Sequence, residues 1–144
     1  ARSALAQLAE APVPGTRVLP LQVAGAFHTS YMAEAVETVR DVAAELTPAD
    51  PRLRIWSNRD GGEVRSGSEF LELVVGQISS PVRWDLTMSS LAAAGVTGII
   101  ELAPAGALAG LAKRGLKGVP TVAVKTPDDL AAARELLGTT TGNE

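Results

Sequence analysis

The chain carries one histidine and no cysteine, so its stock of groups for proton transfer or nucleophilic attack near neutral pH is short. His28 is the side chain that titrates in that range. It sits in Gly25-Ala26-Phe27-His28-Thr29-Ser30-Tyr31-Met32, between an apolar run and a strongly helical segment. Ligands of open α/β sheets gather where strands end and helices begin. The positive end of a helix dipole favours an uncharged ring there. The placement therefore predicts a neutral imidazole able to accept a proton. The same place also suits a partly buried histidine that merely caps a turn, and position leaves both readings open. A general base needs a nucleophile to serve and a partner to orient its second nitrogen. No Gly-x-Ser-x-Gly elbow occurs in the chain. The serines at 57, 66, 68, 79, 80, 89 and 90 fall in turns, caps and amphipathic helices. A base at His28 thus has no obvious nucleophile within these residues.

Other candidates are weaker on physical grounds. The run Glu101-Leu102-Ala103-Pro104-Ala105-Gly106-Ala107-Leu108 joins an apolar segment to a helical one but lacks the glycines and the Lys-Ser/Thr sequel of a phosphate cradle. It reads as a structural turn. Arg83 and Trp84 suit a cation–π pair or a helix start, and Asp128-Asp129 reads as helix-start charge. Without cysteine there is no disulfide framework and no thiolate metal site. A lone histidine leaves no His-rich zinc site, and no metal is expected. The net charge is −3, with basic residues scattered singly apart from Lys113-Arg114, which speaks against nucleic acid as a partner. The longest uncharged run, Val18 to Met32, is broken by Pro20, Gln22, Gly25 and His28, so no segment reads as membrane-spanning.

The elements that would hold these residues follow from the pattern. A length of 144 residues, 46% apolar and 20% charged, suits one globular domain, and 3% aromatics leave the core to Ala, Val, Leu and Ile. Ala4, Leu5 and Leu8 start the chain at helical spacing, and this opening reads as an internal point of a longer polypeptide. Val18 to Val23 reads as an edge strand because of Pro20. Met32, Ala35, Val36, Val39, Val42, Ala43 and Leu46 form one helical stripe that Pro48 and Pro51 end. Leu53 to Trp56 is a short strand before the Asn58-Arg59-Asp60-Gly61-Gly62 turn. Ser66 with Glu69 is a capping pattern for the next helix, and another runs from about Trp84 to Ala94. Val96 to Leu102 and Val119 to Val124 read as strands buried on both faces, each followed by a helix, the last one starting at Thr126-Pro127. Strands alternating with helices predict an α/β protein with a largely parallel sheet. The tail from 138 to 144 is expected to fray.

Three segments carry a family resemblance. The His28 octapeptide resembles the histidine segment of malonyl-CoA:acyl carrier protein transacylases and of the related acyltransferase domains of fatty acid and polyketide synthases. Gln77-Ile78-Ser79-Ser80-Pro81-Val82-Arg83-Trp84 resembles that family's Gln-x-x-x-Pro-Val-x-Trp stretch. Glu101 to Ala105 with Gly110 to Arg114 resembles its Glu-Leu/Val-Gly-Pro-Gly strand-to-helix segment, with Ala103 and Ala105 in place of the two glycines. The resemblance runs in order from Val18 to Leu137.

It implies an α/β fold made of part of a hydrolase-like parallel-sheet core (residues 25 to 137) plus the last helix and strand of a ferredoxin-like small subdomain (residues 1 to 24). It implies transfer of malonyl from coenzyme A to the phosphopantetheine thiol of acyl carrier protein through an acyl-serine, in the cytoplasm, with the coenzyme A thioester as substrate and no cofactor. His28 matches the family's base. Gln77 matches the residue whose main-chain carbonyl orients the imidazole, which leaves its side chain little to do. Phe27 matches a position that correlates with malonyl over methylmalonyl, and a phenyl ring there would crowd an α-methyl branch. The serine elbow, the oxyanion-hole amides and the carboxylate-binding arginine belong to an upstream half, so this chain by itself is expected to be inactive. Two rivals remain at this stage. One is a non-catalytic module whose Arg52, Arg54 and Arg59 dock acyl carrier protein or an acidic synthase neighbour. The other is a fragment of a generic ester hydrolase.

Overall fold

A computed structural model describes residues 2–19 and 24–141. The first helix is α1 (Arg2–Glu10). After a short 3-10 turn at Ser30–Met32 comes α2 (Ala33–Ala43), then the strand pair β1 (Ile55–Trp56) and β2 (Glu63–Val64). Two helices follow, α3 (Gly67–Gln77) and α4 (Trp84–Ala93). The chain finishes with β3 (Ile99–Leu102), α5 (Ala107–Gly115), β4 (Thr121–Val124) and α6 (Leu130–Thr141), the last entered through a 3-10 turn at Pro127–Asp129.

The protein is α/β, but its strands do not form one parallel sheet. β3 and β4 pair in parallel from Ile99↔Thr121 to Leu102↔Val124, as expected of strands separated by a crossover helix. β1 and β2 instead form an antiparallel hairpin, with Ile55 opposite Val64 and Trp56 opposite Glu63. The sequence pattern missed β2 because a two-residue strand is too short to display alternation. Val18 and Leu19 are not in a strand, and the remainder of that expected strand, 20–23, lies outside the described residues. β3 is half-buried rather than buried on both faces, with Leu102 70% exposed. Among the described residues only β4 covers one of its edges.

Two small apolar clusters hold the elements. Val36 and Ala43 of α2 pack with Val75 of α3, flanked by Leu71 and Ile78. Val39, Val42 and Leu46, on the same predicted stripe, remain exposed, so only part of that face is covered. Helix α2 stops at Ala43; the Ala44 amide still bonds four residues back to Arg40, and the two after it bond three back, Glu45 to Val42 and Leu46 to Ala43. Ala109 and Ala112 of α5, Val124 of β4 and Ala133 of α6 are buried around the parallel pair. These are the small aliphatics the composition called for.

The ends of the helices are fixed by side chains. Ser66 caps α3, its Oγ accepting the Glu69 amide at 3.2 Å, and Asp50 accepts the Gly67 amide at 2.9 Å. The Thr126-Pro127 start is closed by Asp129, whose carboxylate accepts the amides of Lys125 and Thr126 at 2.9 Å each. The final helix runs on through Thr141. Gly138 to Thr141 of the expected tail are therefore helical, because nothing after Leu137 breaks the helix before that point.

The 101–108 run is a structural turn with one side chain at its centre. The Glu101 carboxylate accepts the amides of Gly106 (2.8 Å), Leu108 (3.1 Å) and Ala109 (2.8 Å). Its charge thus sits on the amino-terminal end of α5, where the capping residue Gly106 has no side chain of its own. The Ala109 amide, then those of Gly106 and Leu108, hold the Glu101 carboxyl below the usual carboxylate range, with Lys125 adding to the effect. A depressed folded-state pKa stabilises the fold above the ordinary carboxylate value, and that contribution disappears as the pH falls through the depressed one. Glu101→Gln is expected to melt a few degrees below the parent at neutral pH, with the difference shrinking in acid. Equal melting curves at neutral pH would show that the carboxylate does not anchor α5.

Candidate active site

The segment from Ala24 to Thr29 turns tightly before α2. Thr29 Oγ1 donates to the Ala26 carbonyl at 2.6 Å, and His28 adopts a left-handed backbone with φ of 61°. For a residue with a Cβ that conformation costs on the order of 1–2 kcal/mol, so the surroundings must hold it. They do so from the carboxyl end of α3. The His28 amide donates to the Ile78 carbonyl at 3.0 Å, and Nδ1 lies 2.8 Å from the Gln77 carbonyl oxygen. Both carbonyls belong to the end of α3, where the last helical turn leaves acceptors without intrahelical partners.

This contact determines the tautomer. A carbonyl oxygen only accepts, so Nδ1 carries a proton and donates it, and in the neutral ring Nε2 keeps its lone pair. Nε2 has no hydrogen-bond partner among the described residues, and His28 is exposed. The ring is braced at Nδ1 and, when neutral, leaves Nε2 available, the arrangement a general base requires. The ring contacts the carboxyl end of α3 through the Gln77 carbonyl, and the backbone of His28 directly precedes the Ser30–Met32 turn that leads into α2.

Gln77 meets His28 through its main chain, as the resemblance implied, but its side chain is not idle. Gln77 Oε1 accepts a hydrogen bond from Asn58 Nδ2 at 2.7 Å in a partly buried setting. Asn58 begins the loop between β1 and β2, and its own carbonyl accepts the Arg83 amide at 2.7 Å ahead of α4. The sequence marked Asn58 only as a turn residue, and nothing in its spacing linked it to a glutamine 19 positions on. The loop is rigid. Ser57 is buried, its amide bonded to the Gly62 carbonyl at 2.8 Å and its Oγ accepting the Arg59 amide at 3.0 Å. Asp60 accepts the Gly62 amide at 2.9 Å; this bond first, and then Arg59, holds its carboxyl below the usual range.

Phe27 is 57% exposed, with its ring edge against Gly25, where a Cβ would come within 3.2 Å. It adjoins His28 in sequence and projects from the same turn. A cavity of about 300 Å³ beside the end of α3 is lined by Gln77, Arg59, Arg40 and Glu72 but not by His28. Two of the arginines considered for docking are already engaged. Arg54 bonds Glu63 at 3.3 Å and lies 4.8 Å over the Trp56 ring, and Arg59 pairs with Asp60 at 3.1 Å. The cation–π pair is thus Arg54 with Trp56. Arg83 instead grips the Asp85 carboxylate through two bonds at 2.9 and 2.6 Å. Among the described residues no cluster of three or more His, Cys, Asp or Glu could hold a metal ion, and no helix is long and apolar enough to cross a membrane.

No protein-family model matches the chain. Individual proteins do. The malonyl CoA-acyl carrier protein transacylase of Mycobacterium tuberculosis is 48% identical over 128 residues, covering 89% of this chain and 42% of that protein. The Bacillus subtilis protein of the same name is 31% identical, covering 84% of this chain and 38% of its own length. Among solved structures, MCAT from Mycobacterium tuberculosis superposes with a TM-score of 0.82 at 47% identity, covering 94% of this chain and 44% of the other. A type II PKS acyl-carrier protein in complex with its malonyl-transacylase matches with a TM-score of 0.75 at 28% identity, over 83% of this chain and 39% of the other. The chain spans less than half the length of each of these relatives. Over the stretch it shares with them, the chain is similar in sequence and in fold to malonyl CoA-acyl carrier protein transacylases.

Proposed function

We propose that this chain is the carboxyl-terminal part of a malonyl-CoA:acyl carrier protein transacylase and supplies its general base, His28. The observation that carries the reading is the pairing of Nδ1 with the Gln77 carbonyl at 2.8 Å, which in the neutral ring leaves the Nε2 lone pair free. In the proposed reaction Nε2 takes the proton of a serine hydroxyl in the upstream part of the domain as its oxygen attacks the malonyl thioester carbon. The carbon–sulfur bond breaks, and the coenzyme A thiolate leaves with the proton that His28 returns. Malonyl now sits on the serine. In the second half the phosphopantetheine thiol of acyl carrier protein gives its proton to Nε2 and attacks the ester, and the serine oxygen recovers that proton. The Gln77 carbonyl stays bonded to Nδ1–H throughout and stabilises the imidazolium that forms in each half.

Malonyl-CoA and acyl carrier protein are the substrates, no cofactor takes part, and the cytoplasm is the compartment that goes with this chemistry. Residues 25 to 137 form part of the hydrolase-like core, and residues 1 to 24 belong to the small ferredoxin-like subdomain. Phe27, projecting beside the base, disfavours an α-branched acyl group. The test is malonyl transfer to holo acyl carrier protein by the longer domain that contains these residues. Transfer is expected with the domain and absent with the 144-residue chain alone. A domain that loads no malonyl would overturn the proposal.

A further inference from the structure

We propose that Asn58 is a positioning residue for His28, acting through the Gln77 side chain; the proposal rests on the reading of His28 as the base. The carbonyl that orients the imidazole belongs to the last residue of α3, and helix ends fray unless something ties them. Gln77 is tied on two sides. Its main-chain oxygen faces His28 Nδ1 at 2.8 Å, and its side-chain oxygen accepts Asn58 Nδ2 at 2.7 Å. Asn58 is itself fixed by the Arg83 amide on its carbonyl at 2.7 Å and by the tight loop that follows buried Ser57. The Asn58–Gln77 bond thus clamps the end of α3 between the hairpin loop and the histidine turn, and keeps the orienting carbonyl aimed at Nδ1.

The direct readout is the tautomer of His28, followed by nitrogen-15 NMR of histidine-labelled chain. The parent is expected in the Nδ1–H form. In Asn58→Ala the ratio of Nδ1–H to Nε2–H forms is expected to fall about five- to tenfold, the equivalent of one net hydrogen bond. Gln77→Ala removes the same contact from the other side without disturbing the loop, so it reads the clamp should Asn58→Ala fail to fold. The double variant is expected to be no worse than either single one, since both act through one bond. Asn58→Asp, which can accept from a rotated Gln77 amide, is expected to restore the parent ratio. In the longer domain Asn58→Ala is expected to lower kcat about tenfold and leave KM for malonyl-CoA unchanged. An unshifted tautomer ratio in a folded Asn58→Ala or Gln77→Ala chain, or additive effects of the two, would overturn the proposal. A shifted ratio in a domain whose turnover does not depend on His28 would instead overturn the base assignment and leave the clamp standing.

Discussion

Replacing His28 in the longer transacylase domain proposed for this chain is expected to slow malonyl transfer by about three orders of magnitude, the usual weight of a positioned general base. The effect is expected on kcat, because in the proposed reaction loss of the ring leaves the serine without a proton acceptor, while the ring's one bond to the fold is that of Nδ1 to the Gln77 carbonyl. Asparagine is a better replacement than alanine. The position has φ of 61°, which asparagine adopts more readily than other residues with a side chain. The amide bond from residue 28 to the Ile78 carbonyl then survives in either variant. Turnover of His28→Asn within a few-fold of the parent, with an unchanged melting curve, would remove His28 from the chemistry. It would favour a role for this turn in docking instead.

The largest structural effect is expected at Gly61, in the loop that carries Asn58. Its φ is 71°, and a Cβ built there would lie 2.6 Å from the Leu86 carbonyl carbon and 2.8 Å from the Thr87 nitrogen. These are main-chain atoms in the first turns of α4 and cannot swing aside. Gly61→Ala adds a left-handed backbone penalty to an overpacking one, together about 3 kcal/mol. Gly95 is the control: its φ is 69°, but nothing lies within 4 Å of the added methyl. Gly95→Ala should cost only the backbone penalty, about 1 kcal/mol. Urea denaturation of the three proteins measures the difference. Equal costs at 61 and 95 would mean that the loop does not dock on α4 as described. Because the same loop presents Asn58 to Gln77, a loosened Gly61→Ala loop is also expected to weaken the brace on His28.

Local chemistry in the sequence carried the elements that depend on neighbours a few residues apart. Ser66 with Glu69 and Thr126 with Asp129 start their helices as their types and spacing indicate, and the crossover from β3 through α5 to β4 follows from the alternation of apolar strands and helices. Contacts between distant segments were a different matter. The Gln77 carbonyl that orients His28 lies 49 positions away and uses the main chain, so no property of the glutamine side chain pointed to it; the family resemblance did. The Asn58–Gln77 bond had neither a pattern nor a resemblance behind it. The sequence shows which helix follows His28, but not that the fold also brings the end of α3 against its ring. β2 and the full length of α6 were missed because pattern reading needs several residues of alternation or a clear stop signal, and neither element offers them.

The division of labour proposed for this chain, a base here and a nucleophile elsewhere in the domain, can be read directly by locating the acyl group. The longer domain is incubated with malonyl-CoA, quenched and mapped by peptide mass, beside the 14.8 kDa chain treated in the same way. One malonyl group on a serine outside the 144 residues, together with an unmodified chain, is the expected result. A malonyl group on a serine within these residues, or loading of the chain on its own, would contradict it.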